Sequence, residues 1–159
     1  MEVEKNKLYI SFHKPKSLLG YLISLRTFGK YAHSELVYND VVYLSNPGGI
    51  RKQKFEYKSN MDIYELDKNI DISTVLSEFE KLEGKGYDYL AILLSQLLEL
   101  QIDSNDKYFC SELCIYLINK GLQDTLTYNL KEIKDNTFSP VRLHKYLKNM
   151  ELIKEKEVM

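Results

Sequence analysis

The sequence predicts a single α+β domain. Three observations point there: strand signals crowd the first half, helical periodicity fills the second, and 159 residues suit one core. No internal repeat, linker or low-complexity tract divides the chain.

The elements follow in order. Lys7 to Phe12 (KLYISF) is rich in β-branched and aromatic residues and reads as a strand, ended by Pro15. Ser17 caps a helix, SLLGYLISLRTF, with Leu18, Tyr21, Leu22 and Leu25 on one face and Gly29 closing it. His33 to Tyr38 and Val41 to Ser45 form a hairpin across the two-residue turn Asn39-Asp40. Asn46-Pro47-Gly48-Gly49 is a loop. Ile50 to Tyr57 and Met61 to Leu66 are two further strands around Lys58-Ser59-Asn60.

The periodicity then changes. A helix starts at Asp71 or Ser73 and runs to about Leu82, with Val75, Leu76, Phe79 and Leu82 at helical spacing. Gly84-Lys85-Gly86 breaks it. Tyr87 to Leu100 is apolar enough to be a buried helix, and Ile102 to Lys107 is a polar loop. Tyr108 to Lys120 is a third helix, with Gly121 placed as its C-terminal cap. A loop runs to Thr137, and Ser139-Pro140 opens a last helix whose inner face is Val141, Leu143, Tyr146 and Leu147. Residues 153–159 are expected to fray.

Composition excludes some function classes. Hydrophobic residues are 44% and charged residues 28%, the balance of a folding chain. A net charge of -1, with bases and acids interspersed, disfavours nucleic acid as a partner. Arginine, the residue that forks onto phosphate, occurs only as Arg26, Arg51 and Arg142. The N-terminus lacks a signal-peptide stretch, and no apolar run reaches the ~20 residues that span a bilayer. A cytoplasmic protein without stable membrane insertion is therefore expected, and carriage in a phage particle is compatible with this.

Two cysteines, Cys110 and Cys114, lie one helical turn apart, which disfavours a disulfide between them. The three histidines show no zinc-ligand spacing, so no metal or other cofactor is expected. Cys110 falls where a helix begins. Free N–H groups and the positive end of the helix dipole favour thiolate over thiol there, and suit a developing oxyanion. Ser111 and Glu112 fit the same first turn. Cys114 shares a stripe with Leu117 and Ile118 and belongs to the core.

A thiolate nucleophile needs an imidazole partner. His13 stands at a strand end beside Lys14 and Pro15 and is expected to be exposed. His144, next to Leu143, reads as a surface or boundary residue. His33 opens a strand and shares one face with Glu35 and Val37, a rigid platform for a base. Glu35, Ser45, Asn46 or a backbone carbonyl are the candidates to orient its ring.

The segments YAHSELV, VVYLSNPGGIRK, GKGYDYLAIL, YFCSELC and FSPVRL, in that order, resemble the circularly permuted NlpC/P60 hydrolases, papain-like proteins in which the histidine strand precedes the cysteine helix. The resemblance is to the YiiX/YebB-like branch, including its phage and prophage members, and covers about Leu8 to Leu147. It implies an antiparallel sheet packed against helices, with Cys110 as nucleophile and His33 as base. It also implies a peptide or acyl-amide substrate, of the peptidoglycan type. Tyr87 matches a tyrosine near the active centre; with Ser111 and Ser45 it completes the candidate substrate contacts. Many relatives carry a polar residue, often Glu, where this chain has Leu44. That departure leaves the third member open: Glu35 is a candidate, and Ser45 or a backbone carbonyl are the alternatives. Two other functions fit the same resemblance: a thiol-dependent lipid acyltransferase or esterase, and an inactive binding or assembly module.

Overall fold

The computed structural model describes residues 3–26, 28–46, 48–85, 110–123 and 139–155. Their architecture is α+β. One antiparallel sheet of six strands carries helices against it, in the spatial order β4-β3-β2-β1-β5-β6. The strands are β1 (Leu8–His13), β2 (His33–Tyr38), β3 (Val41–Asn46), β4 (Gly49–Lys54), β5 (Met61–Leu66) and β6 (Ile153–Glu155). The helices are α1 (Leu18–Arg26), α2 (Ile72–Leu82), α3 (Cys110–Gly121) and α4 (Pro140–Asn149).

Alternation along β1 sets the two faces of the sheet. Leu8, Ile10 and Phe12 join Leu36, Tyr43 and Tyr64 in the larger core, which the buried residues of α2, α3 and α4 complete. Tyr9 faces the other way, into a second cluster with Val37, Val42, Leu44, Met61 and Ile63. β1 is buried along its whole length because it lies between β2 and β5. The β2–β3 hairpin turns through Asn39 and Asp40, both in the left-handed region (φ 47° and 60°), as a two-residue turn with strand-matching twist requires.

Several expectations need correction. The β3–β4 ladder continues to Asn46 and Gly49, into the segment expected to be loop, because those two residues still pair. β4 ends at Lys54, short of the expected Tyr57. Residues 153–155 do not fray: Ile153 is buried, and β6 pairs Ile153 with Leu66 and Lys154 with Glu65 on β5. Gly121 is not a left-handed cap. It lies inside α3, and the left-handed residue is Gln123 (φ 55°). A Cβ on Gly121 would stand 2.6 Å from Ile70 Cγ2 and 2.7 Å from Val75 Cγ2, so glycine is there for close helix contact. In the expected apolar stripe of α1, Leu18, Tyr21 and Leu25 are exposed, as is Phe28. The expected helix from Tyr87 and the loops around it lie outside the described residues.

The remaining helices form as their caps dictate. Asp71 caps α2 by accepting from Ser73 N–H, with Val75, Phe79 and Leu82 buried. Ser139 caps α4 ahead of Pro140, with Val141, Leu143 and Leu147 buried and Tyr146 packed at the edge of the core. Asp71 N–H also donates to Gly121 O at 2.8 Å, tying the start of α2 to the end of α3.

Candidate active site

β2 supplies the platform. Its ladder with β3 covers only Leu36–Tyr43, Val37–Val42 and Tyr38–Val41. His33, Ser34 and Glu35 lie beyond it, where β3 is paired with β4 alone. The first residue of α3, Cys110, sits beside that stretch. Cys110 is close enough to the His33 side chain and to the backbone N–H groups of Ser34 and Ser111 for each of them to favour its thiolate. One turn further on, Cys114 is fully buried against the Ser34 side chain. Burial and the Cys110 charge push its thiol well up, as a core role demands.

Glu35 also engages the imidazole. Its Oε2 lies 3.3 Å from His33 Nε2. With Nε2 turned to a carboxylate, Nδ1 is the ring nitrogen left to exchange a proton with the sulfur. His33 remains 26% exposed at its side chain, so the pair is reachable from solvent. Cys110 is likewise partly exposed.

The electrostatics of the three groups interlock. Burial alone would raise the Cys110 thiol, but the charge and hydrogen bond of His33 and the two N–H donors overcome it, leaving the thiol below its ordinary value. Burial alone would lower His33. The Cys110 thiolate and Glu35 outweigh that and push it up to about 10. Burial alone would raise Glu35, yet hydrogen bonds from His13 and His33 hold its carboxyl far below the usual carboxylate range. Each of the three shifts favours the charged form of its group: thiolate, imidazolium and carboxylate. A thiolate held beside an imidazolium can attack an electrophilic carbon and return a proton to a leaving group.

The structure brings Cys110, His33 and Glu35 together. Ser111 is buried, and its backbone N–H contributes to lowering the Cys110 thiol. Ser45 is also buried and, by register, projects to the opposite face of the sheet from Glu35. Asn46, a further candidate to orient the ring, ends β3. Tyr87 lies outside the described residues. Leu44 is buried in the apolar cluster on the Glu35 face.

His13 was expected to be exposed and is not. It is 9% exposed, and its Nε2 lies 2.8 Å from Glu35 Oε1. Ser11 Oγ stands 3.3 Å from the same oxygen and 3.3 Å from His13 Nε2. Register explains the cluster: Ser11 lies opposite Glu35 and His13 opposite His33, so all four share one face. The two imidazoles meet edge to face at 5.2 Å. The signal available in sequence was two polar residues at i and i+2 in an otherwise apolar strand, LYISFH. His144 is half-buried, as a boundary residue, against Phe12, Tyr31 and Tyr64.

Among the described residues, no group of three or more His, Cys, Asp or Glu side chains is placed to hold a metal ion. No described helix is long and apolar enough to cross a membrane. No protein-family model and no curated protein sequence matches the chain.

Proposed function

We propose that the protein is a cysteine hydrolase of the permuted NlpC/P60, papain-like kind, cleaving an amide or peptide bond through an acyl-thioester. The observation that carries this is the line Cys110–His33–Glu35, with a thiolate at a helix start, an imidazole against it and a carboxylate behind. The thiolate of Cys110 attacks the carbonyl carbon, and the first-turn N–H groups of α3 suit the oxyanion. As the intermediate collapses, the His33 Nδ1 proton passes to the departing amine. Water then gives a proton to His33 and attacks the thioester, releasing the carboxylic acid and restoring the thiolate. Glu35 fills the role that the leucine at position 44 cannot, by holding the imidazole tautomer from within β2.

A second reading, thiol-dependent acyl transfer or ester cleavage on lipid, draws on one observation: Leu18, Tyr21, Leu25 and Phe28 expose apolar surface along and just after α1. One experiment addresses both. The protein is incubated with peptidoglycan-type peptides and with phospholipid, and Cys110 is followed by mass spectrometry for an acyl adduct. Peptide cleavage with an acyl group on Cys110, abolished in Cys110→Ala, is the expected result. Acyl adducts from phospholipid alone would favour the second reading. Turnover that survives in Cys110→Ala would refute both.

A further inference from the structure

The short hydrogen bond in the cluster is not the one to the base. Glu35 Oε1 lies 2.8 Å from His13 Nε2, whereas Oε2 is 3.3 Å from His33 Nε2. Glu35 is ionised and can only accept, so both nitrogens facing it carry hydrogen. His13 is therefore the stronger of the two anchors on the carboxylate, and Ser11 is a weaker third.

We propose that His13 is a positioning residue: its Nε2–H holds one oxygen of Glu35 so that the other faces His33. The assignment rests on the Cys110–His33 pair proposed above. The reasons are geometric. A glutamate on a strand has three rotatable bonds and no intrinsic preference for a neighbour two residues on. His13 stands directly across the β1–β2 ladder from His33, and Ser11 directly across from Glu35. Two positions on one strand thus fix a carboxylate on the next. The pairing also clamps His13 itself: its backbone carbonyl accepts from Ala32 N–H at 2.8 Å, just ahead of His33. The ionisable groups facing His13 across β2 are Glu35 and His33; across β5 its partner is the apolar Met61. Lys14, next in sequence, is paired with Asp62 at 2.8 Å. Without a donor at position 13, Glu35 Oε1 keeps, among the described residues, only the 3.3 Å contact to Ser11. A buried oxygen so poorly satisfied draws the side chain away from His33.

Losing His13 also removes a competitor for the carboxylate, which by itself would strengthen the bond to His33. Two substitutions separate these effects. His13→Gln keeps an N–H donor; His13→Leu keeps bulk and loses it. The readout is the iodoacetamide alkylation rate of Cys110 at pH 6, in folded protein, with thermal unfolding followed in parallel. His13→Leu is expected to slow alkylation about tenfold, equivalent to about one pKa unit at the thiol. His13→Gln is expected to restore most of that rate, which a role in packing alone would not predict. Reactivity of His13→Leu equal to or above wild type overturns the assignment, as does a Gln variant as slow as Leu.

Nitrogen-15 NMR of the unmodified protein gives an independent check, needing no variant. His13 Nε2 must carry its hydrogen, and an unprotonated Nε2 there overturns the assignment. The two proposals fail differently. A fast wild type with an equally fast His13→Leu sinks only the role of His13. A wild type as slow as an ordinary thiol sinks the hydrolase proposal itself.

Discussion

At His33, burial and charge pull in opposite directions, and charge wins. Its value near 10 means that the imidazolium survives across the neutral range. The folded value is raised above the ordinary 6.5, so its contribution to stability is complete below about pH 6.5 and is lost as pH rises through about 10. Hydrolytic activity is expected to fall over the same alkaline range, as His33 loses the proton that the leaving group needs. Glu35→Gln removes the charge behind the ring and allows the wrong tautomer. It is expected to lower kcat by about 10²–10⁴-fold while leaving the fold intact, as measured by kinetics alongside circular dichroism. Asp62 offers a residue-scale test away from the site. Burial would raise its carboxyl, but Lys14, Tyr31 and Lys30 bring it down to about 2. That stabilisation is present above the ordinary value of 3.8 and disappears as pH falls through about 2, the opposite sense to His33. Asp62→Asn should therefore lower the midpoint of thermal unfolding at pH 7 and have little effect near pH 2.

At the scale of elements, α3 is placed by Gly121 as much as by its apolar stripe. Gly121→Ala puts a methyl within van der Waals overlap of Ile70 and Val75, and is expected to cost about 1–3 kcal/mol in denaturant unfolding. The strands β1 to β5, α2 and α4 were legible because their apolar periodicity and caps are local signals. The same holds for Cys114, whose stripe with Leu117 and Ile118 puts it in the core. What was not legible depended on contacts between distant segments. Gly121 follows a helical run in the position of a cap, and only the neighbouring α2 shows that it serves packing. His13 sits beside Lys14 and Pro15, which read as a solvated strand end, and only the β1–β2 register brings it to Glu35. Ile153 to Glu155 carries one apolar residue among charges, too few to announce β6 without knowing that the edge of β5 is open to it. The stripe of α1 has helical spacing, yet Leu18 and Leu25 are exposed. Spacing identifies a helix without saying what it packs against.

Across the whole molecule, the sheet works as a divider: one face builds the core with the helices, and the other carries a smaller apolar cluster interrupted by Ser11, His13, His33 and Glu35. Closing the far edge matters to this arrangement. A chain ending at Leu152 loses β6, leaves the β5 edge unpaired and removes the buried Ile153 side chain, for an expected loss of about 1.5–3 kcal/mol from that side chain, read by chemical denaturation. The site itself draws on both halves of the chain, with imidazole and carboxylate from the sheet and sulfur from the first residue of α3. In the proposed reaction, everything depends on His33 keeping Cys110 as a thiolate despite burial. The most direct measurement is the pH dependence of Cys110 alkylation in native protein, in wild type and in His33→Ala, with buried Cys114 as the internal reference. The wild-type midpoint should lie at least about one unit below the ~8.5 of an ordinary thiol, and His33→Ala should raise it to that value or above. A wild-type midpoint at or above the ordinary value, or one unmoved by His33→Ala, would contradict it.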